Sequence, residues 1–319
     1  MNIEKLEWFK EFDKYFFAKF KKDADLLRAL EIKEKYAPKN LFQYNRFNEF
    51  SLENIENENV YLSKPSSFNA PYDCINSFDD EKALNSNQDY FLNEFIDPEG
   101  IEKIKNKLQS NAEGKGVIDI VVDHLFQQMN RKDRRKSSTI KKHISSEIKS
   151  IYSKERDKLE IYLEEQKDAI GVSCFVVDNQ SIPMWAHYAD NHKGYCVEYD
   201  ISENQSTIDD LFPVIYRDEI FDSTYLADRL EGLNAMYFMK MALVKSLDWS
   251  YEREWRLIVQ KKAASPYKMQ KLKSIYLGLN ISKENKEKIT KLCKKKSINV
   301  FQMHRHKTKF ELLPMRIID

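Results

Sequence analysis

Apolar positions near the start of the chain recur at helical spacing: Leu6, Phe9, Phe12, Phe16 and Phe20, then Leu26, Leu27 and Leu30, until Pro38 stops the stripe. The spacing predicts a helical segment over 1–38. From Leu41 the period shortens. Leu41-Phe42-Gln43-Tyr44 and Val60-Tyr61-Leu62-Ser63 read as two early strands of a sheet with a small helix or turn at 51–57 between them. The turn formers and aromatics of 66–73 predict an ordered loop. Between about 78 and 168 the pattern is helical with charged outer faces. It is clearest where Ile140, Ile144, Ile148 and Ile151 follow the capping candidates Ser137 and Ser138. Strand texture returns at 172–177, 195–199 and 214–216, before a helix over 224–244. Residues 249–259 read as one extended strand; 274–278, a helix at 283–294, and extended runs at 298–303 and 310–318 complete the chain. Strands at both ends with helices gathered between predict an α+β fold in a single domain, 1–319. Its parts are the N-terminal helical segment (1–38), a mixed-sheet core (39–77 and 169–319) and a helical insertion (78–168).

Composition narrows the class. With 319 residues, 32% charged and 42% hydrophobic, 7 Gly and 8 Pro, the chain has the makeup of a globular protein rather than a fibrous or disordered one. A net charge of +1 argues against a dedicated polyanion binder, leaving room only for local patches. One such patch is 131–149, where eight basic residues face two acidic ones; it suits phosphate steering or a solvated helix face. No apolar run reaches membrane-spanning length, so no membrane partner is expected. The charged start Met1-Asn2-Ile3-Glu4-Lys5 lacks signal-peptide character, which predicts a cytoplasmic protein. Cys74, Cys174, Cys196 and Cys293 form no short-spaced pair, so buried, inert thiols are expected rather than disulfides or a zinc knuckle. His304-Arg305-His306 offers two imidazoles without a neighbouring carboxylate or cysteine, and no metal is expected. Glycine-rich phosphate loops and a nucleophile elbow are absent. The acids also lack the further ligands of a two-metal nuclease.

Two segments carry candidate chemistry. An extended strand over Trp249-Ser250-Tyr251-Glu252-Arg253-Glu254-Trp255-Arg256 sets Trp249, Tyr251, Trp255, Leu257 and Val259 on one face and Glu252, Glu254 and Arg256 on the other. Carboxylates at i and i+2 then lie roughly 7 Å apart, close enough to raise one another's pKa, and can stabilise a developing cation. The alternative is a charged face turned to water. In Pro183 to Tyr195, Trp185, His187, Tyr188, Asn191 and His192 set aromatic faces beside hydrogen-bonding groups, as a flat heterocycle requires. Alternatively, Trp185 and Tyr188 belong to the core.

Taken together, Leu41 to Tyr44, Ser67 to Asp73, Met184 to Gly194 and Trp249 to Arg256 resemble a bacterial family catalogued as domain of unknown function 2971, over most of the chain from Leu41 to about Gly278. The first strand, the second strand ending in serine and the late Glu-x-Glu strand are also similar to the ADP-ribosyltransferase superfamily, especially its compact toxins. That resemblance implies a split β-sheet core and NAD as substrate, with no metal. The acceptor would be RNA, DNA or protein, the role that of a toxin or anti-phage defence effector, and an antitoxin a possible partner. Carried over to this sequence, Glu254 is the catalytic glutamate and Glu252 the first acid of the pair. Gln43 stands where the superfamily has His or Arg, with Tyr44 and Arg46 beside it; Ser63 matches the second-strand serine. Asn69, Trp185, His187 and Tyr188 complete the expected cofactor contacts. The competing expectation is a catalytically silent nucleotide- or partner-binding module.

Overall fold

The computed structural model describes residues 6–18, 23–68, 72–79, 82, 92, 96–110, 115–129, 137–224, 235–260, 263–269 and 271–317. Two compact units emerge: Met1–Ile75, Lys167–Ile220 and Ala235–Asp319 form the first, Asn76–Gln166 and Phe221–Asn234 the second. The described strands, in chain order, are β1 (Asn40–Asn45), β2 (Asn59–Leu62), β3 (Asn76–Ser77), β4 (Ile170–Phe175), β5 (Tyr195–Asp200), β6 (Leu211–Pro213), β7 (Ile215–Arg217), β8 (Phe221–Asp222), β9 (Val244–Ser246), β10 (Trp255–Gln260), β11 (Ser265–Lys268), β12 (Leu272–Leu277), β13 (Asn299–Arg305) and β14 (Leu312–Arg316).

In the first unit a five-stranded sheet runs β1-β5-β12-β13-β14 and a three-stranded sheet β4-β10-β6, with the pairs β2/β11 and β7/β9 beside them. Most pairings are antiparallel. The exception in the large sheet is β12/β13, parallel and joined through the helix Lys283–Lys296, as a parallel crossover requires. Two isolated bridges, Phe42 with Val176 and Ser63 with Val172, tie the β1 and β2 segments to the β4 segment. The main core gathers Leu41, Val197, Leu257 and Ile275, and a second cluster gathers Tyr44, Met184, Trp185, Met303 and Leu312. In the helix Glu7–Phe16, Phe9, Phe12 and Phe16 are buried. Trp8 of that helix stacks on Tyr36 at 5.0 Å and on Trp255 at 6.1 Å.

The second unit, taken by itself, packs the helices Pro98–Gln109, Val117–Gln128 and Ser137–Lys167 around Ile104, Ile120, Val121 and Ile148. Asp97 caps the first of these by accepting from the Gly100 N–H at 2.7 Å. The pair β3/β8 is parallel.

The α+β class holds: helices and several separate sheets, with no barrel. Four local expectations are corrected. Residues 249–259 are not one strand. Leu247–Glu252 forms a 3-10 helix capped by Ser246, Arg253 turns the chain at φ 48°, and β10 begins only at Trp255. The cause is tertiary: the Glu254 N–H donates to the Tyr216 hydroxyl at 2.9 Å, and Glu252 is drawn inward by Lys245 and Tyr188. The alternative of a charged row turned to water is also overturned, because Glu252 and Glu254 are 3% exposed and Arg256 0%. The strands β1 and β2 enter different sheets. Finally, the expected helix over 224–244 is described only as Ala235–Met241, and Val244 opens β9, which pairs with β7. The basic run 131–136 lies outside the described residues.

Candidate functional site

The turn-rich segment 183–195, expected to form a ligand platform, is first of all a structural lock. The helix Ile182–His187 is followed, after Tyr188 and Ala189, by three successive left-handed residues, Asp190, Asn191 and His192 (φ 47°, 53° and 67°), a conformation that Asn, Asp and His tolerate better than most side chains. This run folds back so that the His192 N–H donates to the Trp185 carbonyl at 3.1 Å and the Gly194 N–H to the Ala189 carbonyl at 2.8 Å. Trp185 is 0% exposed; its indole N–H donates to the Asn179 carbonyl at 2.7 Å, its edge meets Tyr44, and His192 stacks on it. The lock carries Met184 and Tyr188 to the wall of a cavity of about 280 Å³.

Strands β1, β4 and β10, the β2 end and the Pro65–Ser67 turn enclose that cavity. Its floor is a buried charge cluster. Arg256 grips Asp73 with both terminal nitrogens (2.8 Å each), donates from Nε to Glu254 Oε1 at 2.8 Å, and reaches the Ala242 carbonyl at 2.7 Å. Lys245 Nζ donates to Glu252 Oε2 at 2.6 Å and Glu254 Oε2 at 2.9 Å, and sits over the Trp249 ring. The Tyr188 hydroxyl donates to the remaining Glu252 oxygen at 2.8 Å. These five charged side chains are each at most 6% exposed. Three carboxylates against two cations leave the cluster one negative charge in excess, a costly state away from water unless a proton or a cationic ligand offsets it.

The electrostatics set the two glutamates apart. Burial lifts Glu252 above the usual glutamate value of 4.5, against the pull of the Lys245 ammonium, and the Glu254 carboxylate adds to the lift. Burial would lift Glu254 as well, but the Arg256 guanidinium and Lys245 ammonium hold it far below the usual range. Two neighbouring acids are thus shifted in opposite directions, the arrangement expected of an acid/base pair. Burial pushes the Tyr188 phenol up, and the Glu252 carboxylate pushes it further. The Cys174 thiol is likewise pushed up by burial and by Glu254, which makes it a poor nucleophile.

The sign of the Glu252 shift has a measurable result. Between pH 4.5 and its raised folded value the folded chain holds on to this proton more than the unfolded chain does, so this group's contribution to stability falls as pH rises through that window. Glu252→Gln removes that slope. Thermal unfolding of both proteins from pH 4.5 to 8 is expected to show the difference drifting in favour of the variant as pH rises. Glu254, held low, contributes the opposite slope below 4.5 in both proteins.

Of the residues singled out from sequence, Gln43, Tyr44, Ser63, Tyr188, Glu252 and Glu254 line this one cavity. Gln43 donates to Ser173 Oγ at 3.0 Å and to the Cys174 carbonyl at 3.3 Å, and Tyr44 donates to the Asp178 carbonyl at 3.2 Å. Trp185 is core beneath it. Arg46 and His187 are exposed and off its wall, and Asn69 lies outside the described residues. Arg256, set beside the two glutamates in sequence, lines the cavity with them, whereas sequence reasoning misses Asp73 and Lys245 as members of the site. In sequence Arg256 reads as a helper on the same strand and Asp73 as a loop residue, while Lys245 lies in a stretch expected to follow a helix. Among the described residues no group of three or more His, Cys, Asp or Glu is arranged to hold a metal.

No curated protein and no solved structure matches the chain. Residues 184–257, narrower than the span expected from sequence, match the family model described as "Protein of unknown function (DUF2971)", so the chain is similar to that family over the segment carrying Tyr188, Lys245, Glu252, Glu254 and Arg256.

Proposed function

We propose that the chain breaks the nicotinamide–ribose bond of NAD and transfers ADP-ribose to a nucleic-acid or protein acceptor, as an effector of the toxin or defence kind. One observation carries the proposal: Gln43, Ser63, Glu252 and Glu254, drawn from distant parts of the sequence, line one small cavity with a net negative floor. At about 280 Å³ the cavity is near the small end of ligand pockets and suits a ring with its sugar rather than a whole dinucleotide. When the C1′–N bond of NAD breaks, its electron pair leaves with nicotinamide and positive charge develops on the ribose. The ionised Glu254 stabilises that charge. The acceptor's lone pair then bonds C1′, and its proton passes to the ionised Glu252, whose raised affinity for a proton suits it to the task; the proton then leaves to solvent to reset the site.

The test is nicotinamide release and transfer of labelled ADP-ribose to a cell extract, with unfolding temperature measured on each variant. Glu254→Gln is expected to lower turnover on the order of a hundredfold or more while remaining folded. No NAD turnover, or turnover indifferent to Glu254, sinks the proposal. A second reading is a silent binding module. It is favoured by one feature: both Glu254 oxygens already accept hydrogen bonds, from Arg256 and Lys245. It expects NAD or nucleotide binding with no nicotinamide released.

A further inference from the structure

The strongest concentration of charge among the described residues lies away from this cavity. The helix Lys283–Lys296 carries seven lysines and two glutamates, and the β13–β14 hairpin adds Arg305, Lys307, Lys309 and Arg316 against Glu311. Residues 283–316 thus hold a net charge of +8, while the whole chain is only +1. The remainder of the chain is acidic, so the positive charge is concentrated on this helix and hairpin.

Helix and hairpin flank an open groove of about 1020 Å³. Lys283 and Lys286, one turn apart, rise from one wall; His304 and Arg305 rise from the other, with Gln302 deeper and Glu287 the one acid on the rim. Lys283, Lys286 and Arg305 form no ion pair with any described residue; Lys286 donates to the neutral Gln302 at 3.2 Å. The hairpin tip is held in shape by His306, whose Nδ1 accepts from the Thr308 and Lys309 N–H groups at 3.1 Å each. This ordered tip presents Phe310 at 99% exposure between Lys309 and Glu311.

We infer that this face binds single-stranded nucleic acid: the groove cations follow the phosphate backbone and Phe310 stacks on an unpaired base. Cations along a groove, together with a fully exposed aromatic ring on the hairpin that supplies one of its walls, make the combination by which proteins hold single strands. The exposed ring selects single strands, since a base inside a duplex has no free face to offer. The binding does not depend on NAD turnover. If both hold, this face names the acceptor class of the transfer reaction.

The experiment is fluorescence anisotropy on the full chain without NAD, using labelled 20-nucleotide poly(U), poly(dT) and a blunt duplex from 50 to 200 mM salt. Tight, salt-sensitive binding of the single strands is expected, weaker on the duplex, and the poly(U) and poly(dT) arms show which sugar is preferred. Lys283→Ala/Lys286→Ala/Arg305→Ala is expected to weaken single-strand binding at least tenfold and to reduce the salt slope by about 2, at about 0.7 per lost phosphate neutralised. Phe310→Ala is expected to weaken it on the order of tenfold with little change in slope, and Lys283→Arg/Lys286→Arg to retain it. No binding at 50 mM salt overturns the inference. So does binding that the triple variant leaves unchanged, or displacement of the RNA by an equal charge of polyglutamate, which would mark the face as a site for acidic polypeptide.

Discussion

Arg256→Ala is expected to destabilise the fold by about 3–5 kcal/mol, the usual consequence of removing one partner from a buried ion cluster. Arg256 is fully buried, and its donors satisfy Asp73, Glu254 and the Ala242 carbonyl at once. Without it, three carboxylates share the single ammonium of Lys245 in a region closed to water. The cation also lies over the Phe68 ring at 5.0 Å, and the substitution removes that attraction as well. A thermal melt is expected to show a drop in midpoint on the order of 10 °C. Most of that destabilisation is the cost of stranded carboxylates rather than the worth of the pairs. The double change Arg256→Ala/Asp73→Asn is therefore expected to be less damaging than the sum of its parts. Strict additivity would show that Asp73 and Arg256 are not energetically coupled.

Gly194→Ala is expected to cost about 3 kcal/mol, the upper part of the range for forcing an extra methyl group into a packed site. A Cβ at Gly194 would sit 2.0 Å from the Asn45 carbonyl oxygen, and that atom is backbone at the end of β1, which cannot turn aside as a flexible side chain can. The same glycine accepts the Gly278 N–H at 2.9 Å, so the strain passes into the end of β12. Tyr188 hangs from the same lock. The expected readouts are a lowered unfolding midpoint together with a changed pH profile, because displacing the Tyr188 hydroxyl removes a donor from Glu252. A midpoint within a degree of the parent would mean that the strand ends yield freely.

Much of the fold is legible in the sequence because local pattern and tertiary outcome agree. The 3.6-residue stripe of Phe9, Phe12 and Phe16 and the short runs at β1, β4, β5, β12 and β13 all become the elements their spacing implies. Pattern fails where a distant partner decides the matter. Residues 249–254 alternate as a strand does, but the Tyr216 hydroxyl, Lys245 and Tyr188 impose a helical turn and then a left-handed residue at Arg253. Period also says nothing about which sheet a strand joins, so β1 and β2 look like neighbours in sequence. For the site, Glu252 and Glu254 are visible as an acid pair on one short segment. Asp73 and Lys245 are not, because a single acid in a loop and a single lysine beside an apolar run carry no signal until the fold sets them against Arg256. The Trp185 and His192 aromatics give a strong signal of another kind. They mark the lock that supports the cavity rather than its wall.

Asp73 and Arg256 are 183 residues apart along the chain, and Tyr188 and Lys245 come from two further segments. No short fragment of the protein contains this constellation, and closing so long a loop is repaid only by interactions that form late. During synthesis Asp73 emerges long before its cation exists. The charge cluster that floors the cavity is therefore complete only once Lys245, Glu254 and Arg256 have joined Asp73, so opening the chain at β10 takes the whole constellation apart at once.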